Sequence, residues 1–236
     1  MAKSRVAKIL REPEILIFDV DGVLVDVRET YWRSALLTVR QLSGKRVTLR
    51  ELHERKSKPG NNDDWAMTSA WLTSLGRPTT YDQARRAFEK LYWGTGEKPG
   101  LVANEKLLIA PAQIARWAKR YELNLFTGRT RREFSFTFRK WPGTKHFETV
   151  ITMDDARPKP HPEGLLKILR GRDPRAALYV GDNIDDALAA RGAGVPFVAV
   201  LARDQAPYRR RAKLFRESGA LALLETARDL ERLLPR

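Results

Sequence analysis

Short apolar runs rich in β-branched residues recur along the chain, and each ends in a polar loop. The first covers residues 15–20, where Ile15, Leu16, Ile17 and Phe18 precede the turn signal Asp21-Gly22. Residues 123–127, 150–153, 177–180 and 197–201 repeat the pattern, with amphipathic segments between them. Runs of this length read as buried strands, and strands alternating with helices predict an α/β fold with a parallel, doubly wound sheet. Ligands of such sheets bind outside the carboxyl ends of the strands, so each polar loop is a candidate site wall.

Residues 27–103 break the alternation. Helical periodicity covers 28–42, 49–56, 64–75 and 81–93, and Thr48, Asp63 and Thr80 stand where N-caps belong. The segment therefore reads as an all-helical domain inserted after the first strand, with 1–26 and 104–236 forming one discontinuous core. Its exit, Gly94-Thr95-Gly96-Glu97-Lys98-Pro99-Gly100, reads as a linker back to the sheet. As a nucleotide loop it fails, because no strand precedes it and its third glycine comes one position late. Trp65, Trp71, Tyr92 and Trp93 fall at helical spacing, which reads as packing rather than base stacking.

A chain of 236 residues is long enough for such a core plus an insertion. With 42% hydrophobic and 31% charged residues it matches neither a disordered nor a membrane chain, and its longest apolar stretch, 195–202, is far below the roughly 20 residues of a span. Lys3, Arg5, Lys8 and Arg11 make the N-terminus basic, but Glu12 and Glu14 interrupt the apolar run a secretory signal needs, so a cytoplasmic protein is expected. The absence of cysteine excludes disulfides, thiolate catalysis and cysteine zinc sites, and His53, His146 and His161 lack ligand spacing. Any metal must then be held by oxygen. The formal charge of +15 favours anionic partners, either nucleic acid or phosphorylated metabolites. Its densest run, Arg209, Arg210, Arg211 and Lys213, reads as the solvated face of a helix in preference to a basic patch.

Four loop ends carry chemistry. Asp19-Val20-Asp21-Gly22-Val23-Leu24-Val25-Asp26 places two carboxylates where a strand ends and the chain bends, so both can approach one phosphate and metal. An Asp-Gly turn accounts for Asp21 and Gly22 but leaves Asp19 unexplained. Leu125-Phe126-Thr127-Gly128-Arg129 offers a hydroxyl and freed amides to a phosphoryl oxygen, although a Thr before Gly also serves as a plain turn residue. In Arg157-Pro158-Lys159-Pro160-His161-Pro162 the prolines fix the backbone around one lysine, a cation that would keep a nucleophilic carboxylate ionised and offset phosphate charge. His161 reads as structural. Val180-Gly181-Asp182-Asn183-Ile184-Asp185-Asp186 supplies hard oxygen ligands suited to magnesium, with Asp182 and Asp19 as the pair and Asp185 read as solvated at the helix start.

These four loops, in this order, resemble the signature motifs of the haloacid dehalogenase-like superfamily, and the helical insertion at the first motif resembles the cap of its phosphoglycolate phosphatase-like subgroup in subfamily I. The resemblance covers the whole chain. It implies a Rossmann-like three-layer core with a parallel sheet and a helical cap, and hydrolysis of phosphate monoesters through an aspartyl phosphate. By it, Asp19 is the nucleophile and Asp21 the acid and base. Thr127, Gly128 and Lys159 bind the phosphoryl group, Asp19, the Asp21 carbonyl and Asp182 hold Mg2+, and Asp186 is the fourth motif's second acid. Asp21 argues against dehalogenation, which needs no acid there. Phosphonate-cleaving members use a cap lysine, for which Lys56 and Lys58 are available, and a mutase would share the aspartyl phosphate.

The small metabolite expected as substrate is read by the cap, where Lys56, Asn61 and Asn62 are candidate contacts together with Arg129 of the core. A binding module for nucleic acid or other anions on the same fold is the competing reading from the charge of +15. A site lined by carboxylates repels phosphate when no metal is bound, so only weak, non-specific nucleic-acid binding is expected. Neither substrate identity nor oligomeric state is encoded in these motifs.

Overall fold

The computed structural model describes residues 13–96, 98–205 and 207–235. Lys3, Arg5, Lys8, Arg11 and Glu12 of the basic N-terminus, and Glu97 of the expected linker, lie outside the described residues. The chain enters strand β1 (Ile15–Phe18) and then four helices, α1 (Tyr31–Ser43), α2 (Leu49–Lys56), α3 (Asp64–Ser74) and α4 (Tyr81–Trp93). It next alternates through α5 (Pro111–Trp117), β2 (Glu122–Phe126), α6 (Arg131–Phe138), β3 (Phe147–Ile151), α7 (Glu163–Leu169), β4 (Ala177–Gly181), α8 (Ile184–Ala193), β5 (Phe197–Val200), α9 (Tyr208–Glu217) and β6 (Ala222–Leu224). Two compact units result, Asp26–Lys106 and the remainder. No helix among the described residues is long and apolar enough to cross a membrane.

In the larger unit six strands form one parallel sheet in the order β6-β5-β4-β1-β2-β3. Every residue of β1 is fully buried, as a central strand covered on both faces requires. Because side chains alternate across a strand, Leu16 and Phe18 enter one core with Trp117, Leu125, Phe138 and Val180. Ile15 and Ile17 enter the other, with Phe126, Leu165, Tyr179 and Ala187. Helices on both faces make three layers. Phe18 stacks on Trp117 at 5.4 Å, which ties α5 to the centre of the sheet.

Register aligns the loops that matter. Phe18 pairs with Leu125 on one side and Val180 on the other, and Phe126 pairs with Ile151, so Asp19, Thr127 and the loop after Gly181 leave the sheet side by side. The Asp19 amide still donates to the Val180 carbonyl at 2.8 Å, and the Thr127 amide to Ile151 at 2.9 Å. One close approach supports this edge. A Cβ on Gly164 of α7 would lie 2.2 Å from the Phe126 ring, which is buried and faces the Lys159 ammonium at 5.0 Å. Gly164→Ala is therefore expected to cost about 1–3 kcal/mol through overpacking, lowering Tm by roughly 2–4 °C per kcal/mol in thermal unfolding.

The helical unit follows its caps. Thr48 and Thr80 close capping boxes with Glu51 and Gln83, and the Asp63 side chain accepts from the Trp65 and Ala66 amides. Its core holds Trp65, Trp71, Phe88 and Tyr92, with Tyr31 packed 4.7 Å from Tyr92. The glycine- and proline-rich exit is more ordered than a plain linker, since Gly94–Thr95 pairs antiparallel with Lys98–Pro99.

Candidate functional site

The loop after β1 is wound tightly. The amides of Val23, Leu24 and Val25 all converge on the Val20 carbonyl, and the Gly22 amide donates to Val25 at 2.8 Å. Gly22 carries a left-handed φ of 75°, and a Cβ there would sit 2.1 Å from Asp182 Oδ2. Glycine thus permits both the turn and the contact that brings the loop after β4 against the loop after β1.

Asp19, 3% exposed, sits at the centre. The Lys159 ammonium, also buried, donates to Asp19 Oδ1 at 2.9 Å and to Asp186 Oδ1 at 2.7 Å, and lies 3.1 Å from the Tyr179 hydroxyl and 3.2 Å from the Phe126 carbonyl. The Tyr179 hydroxyl donates to Asp186 Oδ1 at 2.6 Å, and Asp186 Oδ2 accepts the Asn183 amide at 2.9 Å. Both oxygens of Asp186 are therefore engaged by protein donors. Carboxylate oxygens of Asp19, Asp182 and Asp186 lie within 4.8 Å of one another.

Electrostatics here are unbalanced. Burial raises the Asp19 carboxyl well above the usual range, Lys159 opposes this, and Asp186, Asp182 and Asp21 reinforce it. Burial alone would pull Lys159 down, but Asp186 and Asp19 outweigh it and hold the ammonium above its ordinary value. Burial likewise pushes the Tyr179 phenol up, with Asp186 adding to it. An additional hard cation is what this arrangement accommodates: oxygen ligands on Asp19 and Asp182, with Asp186 already committed to Lys159 and Tyr179, fit a divalent ion of the magnesium type.

The loop after β2 is ordered around Arg129. Its amide donates to Thr127 Oγ1 at 3.1 Å, and its buried guanidinium reaches Asp21. Gly128 is exposed between them. His161 Nδ1 accepts the Glu163 amide at 3.1 Å, a local role at the start of α7.

The other substrate candidates belong to the helical unit. Lys56 pairs with Asp64 at 2.8 Å, Asn61 Nδ2 donates to the Arg55 carbonyl at 2.8 Å, and Asn62 is half-buried in the same loop.

Three residues take parts that the sequence patterns left out. Tyr179 lies in an apolar strand and reads there as one more core residue. Asp185 is fully buried rather than solvated, because α8 turns its first acidic residue inward. Arg211 leaves the otherwise solvated basic run: it is 6% exposed, donates to the Asp182 carbonyl at 3.2 Å and contacts Gln205. The helical period carries the signal, since Arg211 shares its face with the buried Ala212 and Phe215.

The sequence model of the haloacid dehalogenase-like hydrolase family matches residues 114–200, a stretch that includes Thr127, Lys159, Asp182 and Asp186. A phosphoglycolate phosphatase of Nitrosococcus oceani is 27% identical over 81% of this chain and 85% of its own. An imidazoleglycerol-phosphate dehydratase of Phytophthora nicotianae is 30% identical over 80% of this chain, and the chain spans 43% of that relative's length, less than half. The crystal structure of a subfamily IA hydrolase of the same superfamily from Geobacter sulfurreducens superposes with a TM-score of 0.61 at 26% identity, covering 94% of this chain and all of that one. The four loops gathered at the strand ends of a six-stranded parallel sheet agree with this similarity to haloacid dehalogenase-like hydrolases.

Proposed function

We propose that the protein is a magnesium-dependent phosphatase that hydrolyses a small phosphate monoester through an aspartyl phosphate on Asp19. The observation that carries this reading is the buried Lys159 ammonium lodged between Asp19 and Asp186, with Asp182 packed against Gly22. Lys159 engages Asp19 Oδ1, so attack on phosphorus falls to Oδ2. As the Oδ2–P bond forms, the ester P–O bond breaks and Asp21 protonates the leaving oxygen. Asp21 then takes a proton from water, whose oxygen attacks phosphorus and releases phosphate from Asp19. Thr127 Oγ1 accepts the Arg129 amide and keeps its own proton for a phosphoryl oxygen, beside the Gly128 amide. Asp19, the Asp21 carbonyl and Asp182 would hold the ion, and Asp186 holds Lys159 in place. When bound, magnesium supplies positive charge that shields the phosphoryl group from the attacking carboxylate and stabilises the in-line transfer.

Lys56, Asn61 and Asn62 of the helical unit are the proposed readers of the leaving group. The tie between Lys56 and Asp64 opposes imine formation at Lys56, which needs a neutral amine. The names of the relatives add two substrate classes to test, a phosphorylated short acid and an imidazole-bearing phosphate ester.

The test is phosphate release from 2-phosphoglycolate, sugar phosphates, nucleotides, pyrophosphate, an imidazole-bearing phosphomonoester and aryl phosphates, with and without magnesium. Release is expected only with magnesium, and Asp19→Asn is expected to reduce it by at least about 10³-fold. Turnover at the wild-type rate in Asp19→Asn would remove Asp19 as nucleophile, and no release from any ester would remove the phosphatase reading.

A further inference from the structure

We propose that Arg129 is a positioning residue that aims the Asp21 carboxyl, presenting one of its oxygens to the leaving group. This rests on the phosphatase reading and adds a residue to its machinery. The Arg129 side chain is fully buried, yet it belongs to a loop that follows a strand end, where a long cation would ordinarily extend into water. Its guanidinium is instead fixed at both ends. Nη2 and Nε donate to Asp21 Oδ1 at 2.7 and 3.0 Å, Nε reaches Oδ2 at 3.3 Å, and Nη1 donates to Thr137 Oγ1 of α6 at 2.7 Å. The backbone of Arg129 is anchored as well, its amide to Thr127 Oγ1 and its carbonyl to the Met153 amide at 3.0 Å. One residue therefore links the acid–base loop, the phosphate-binding hydroxyl and the loop after β3.

The contact is uneven across the carboxyl. Oδ1 accepts two short bonds and Oδ2 one long one, and the Asp21 side chain is 28% exposed although its partner is not exposed at all. Oδ1 is thus the anchored oxygen, and Oδ2 is the one left to face the reacting oxygens. The planar fork of a guanidinium can hold a carboxyl in one rotational setting while also reaching Thr137, which a lysine ammonium cannot do.

Losing the anchor should matter in proportion to how much the leaving oxygen needs a proton. Phenyl phosphate and p-nitrophenyl phosphate are similar in size but leave with phenoxides of different basicity, and kcat/KM reports the step in which that oxygen departs. Arg129→Met is expected to lower kcat/KM on the order of 10²-fold for phenyl phosphate and at least about tenfold less for p-nitrophenyl phosphate. Arg129→Lys, which keeps the charge and loses the fork, is expected to follow Arg129→Met. Thr137→Val, near in shape, removes the second anchor together with the longer Thr137 bond to the Glu133 carbonyl; it is expected to show the same preference at smaller size, and it carries the test if Arg129→Met does not fold. An equal fall on both esters, an unchanged rate, or full recovery in Arg129→Lys would overturn the proposal. A wild-type protein that cleaves neither ester would instead overturn the phosphatase reading beneath it.

Discussion

Lys159→Met is expected to destabilise the protein by about 3–5 kcal/mol and to end phosphate release, the cost typical of removing one partner from a buried ion pair. The Lys159 side chain is 1% exposed, and the side chains of its partners Asp19 and Asp186 are 5% and 0% exposed. A thioether fills the volume but neutralises neither carboxylate, and it leaves the Phe126 carbonyl and Tyr179 hydroxyl with one partner fewer. Folded-state interactions with Asp186 and Asp19 hold the Lys159 ammonium above its ordinary value of 10.5. A raised lysine contributes its full stability below its unfolded pKa and loses it only as pH climbs through the folded one. Urea unfolding should therefore show a constant gap between wild type and variant from about pH 7 to 9 that closes in stronger alkali. Acidification should also narrow the gap, because Asp19, already pushed upward by burial, can take a proton once its cation is gone. A gap below about 1 kcal/mol would mean that water or backbone movement supplies what Lys159 provides.

How much of this was legible in the sequence depends on range. Asp19, Thr127 and Asp182 stand out because each polar residue follows an apolar run, and a parallel strand end is where such a residue becomes a site residue. The helix starts at Thr48, Asp63 and Thr80 were legible for a similar reason, since capping is a local interaction between residues two or three apart. Strand β6 was not. Ala222, Leu223 and Leu224 contain no β-branched residue and favour helix, and their extended form comes from pairing with β5 at the sheet edge. Phe147 similarly begins β3 ahead of the apolar signal at Val150, held by edge packing against Phe18.

The site's supporting contacts were hidden by distance along the chain. The pairing of Arg129 with Asp21 spans 108 positions, and that of Lys159 with Asp19 spans 140. In the sequence Arg129 reads as a candidate substrate contact and Arg211 as part of a solvated basic run, whereas burial turns each into a contact with a loop of the site. A charge total says how many cations a chain has and nothing about which ones water reaches.

Asp19→Asn is expected to raise the stability of the protein in chelator while removing its turnover, the opposite sign from Lys159→Met at the same cluster. The two changes differ in what they leave behind. Losing Lys159 strands two buried carboxylates, but losing the Asp19 charge leaves Lys159 with Asp186, Tyr179 and the Phe126 carbonyl and removes one of the crowded acids. Burial first, then Asp186, Asp182 and Asp21, raise the Asp19 carboxyl from 3.8, and Lys159 does not cancel them. A raised carboxyl favours folding while protonated, so its contribution is present below the unfolded pKa and lost as pH rises through the folded one. At neutral pH an ionised Asp19 is then a cost that the amide of asparagine avoids, and the gain in Tm should be about 2–4 °C for each kcal/mol relieved. Magnesium should reverse the order. Ion at 100 times its Kd stabilises wild type by about 2.7 kcal/mol, and Asp19→Asn, short of one anionic ligand, should respond much less. Thermal unfolding with chelator and with magnesium, for both proteins, separates the cases without reference to any substrate. If Asp19→Asn melts below wild type in chelator, the Lys159 pair outweighs the repulsion among the acids; if both gain equally from magnesium, the ion binds away from Asp19.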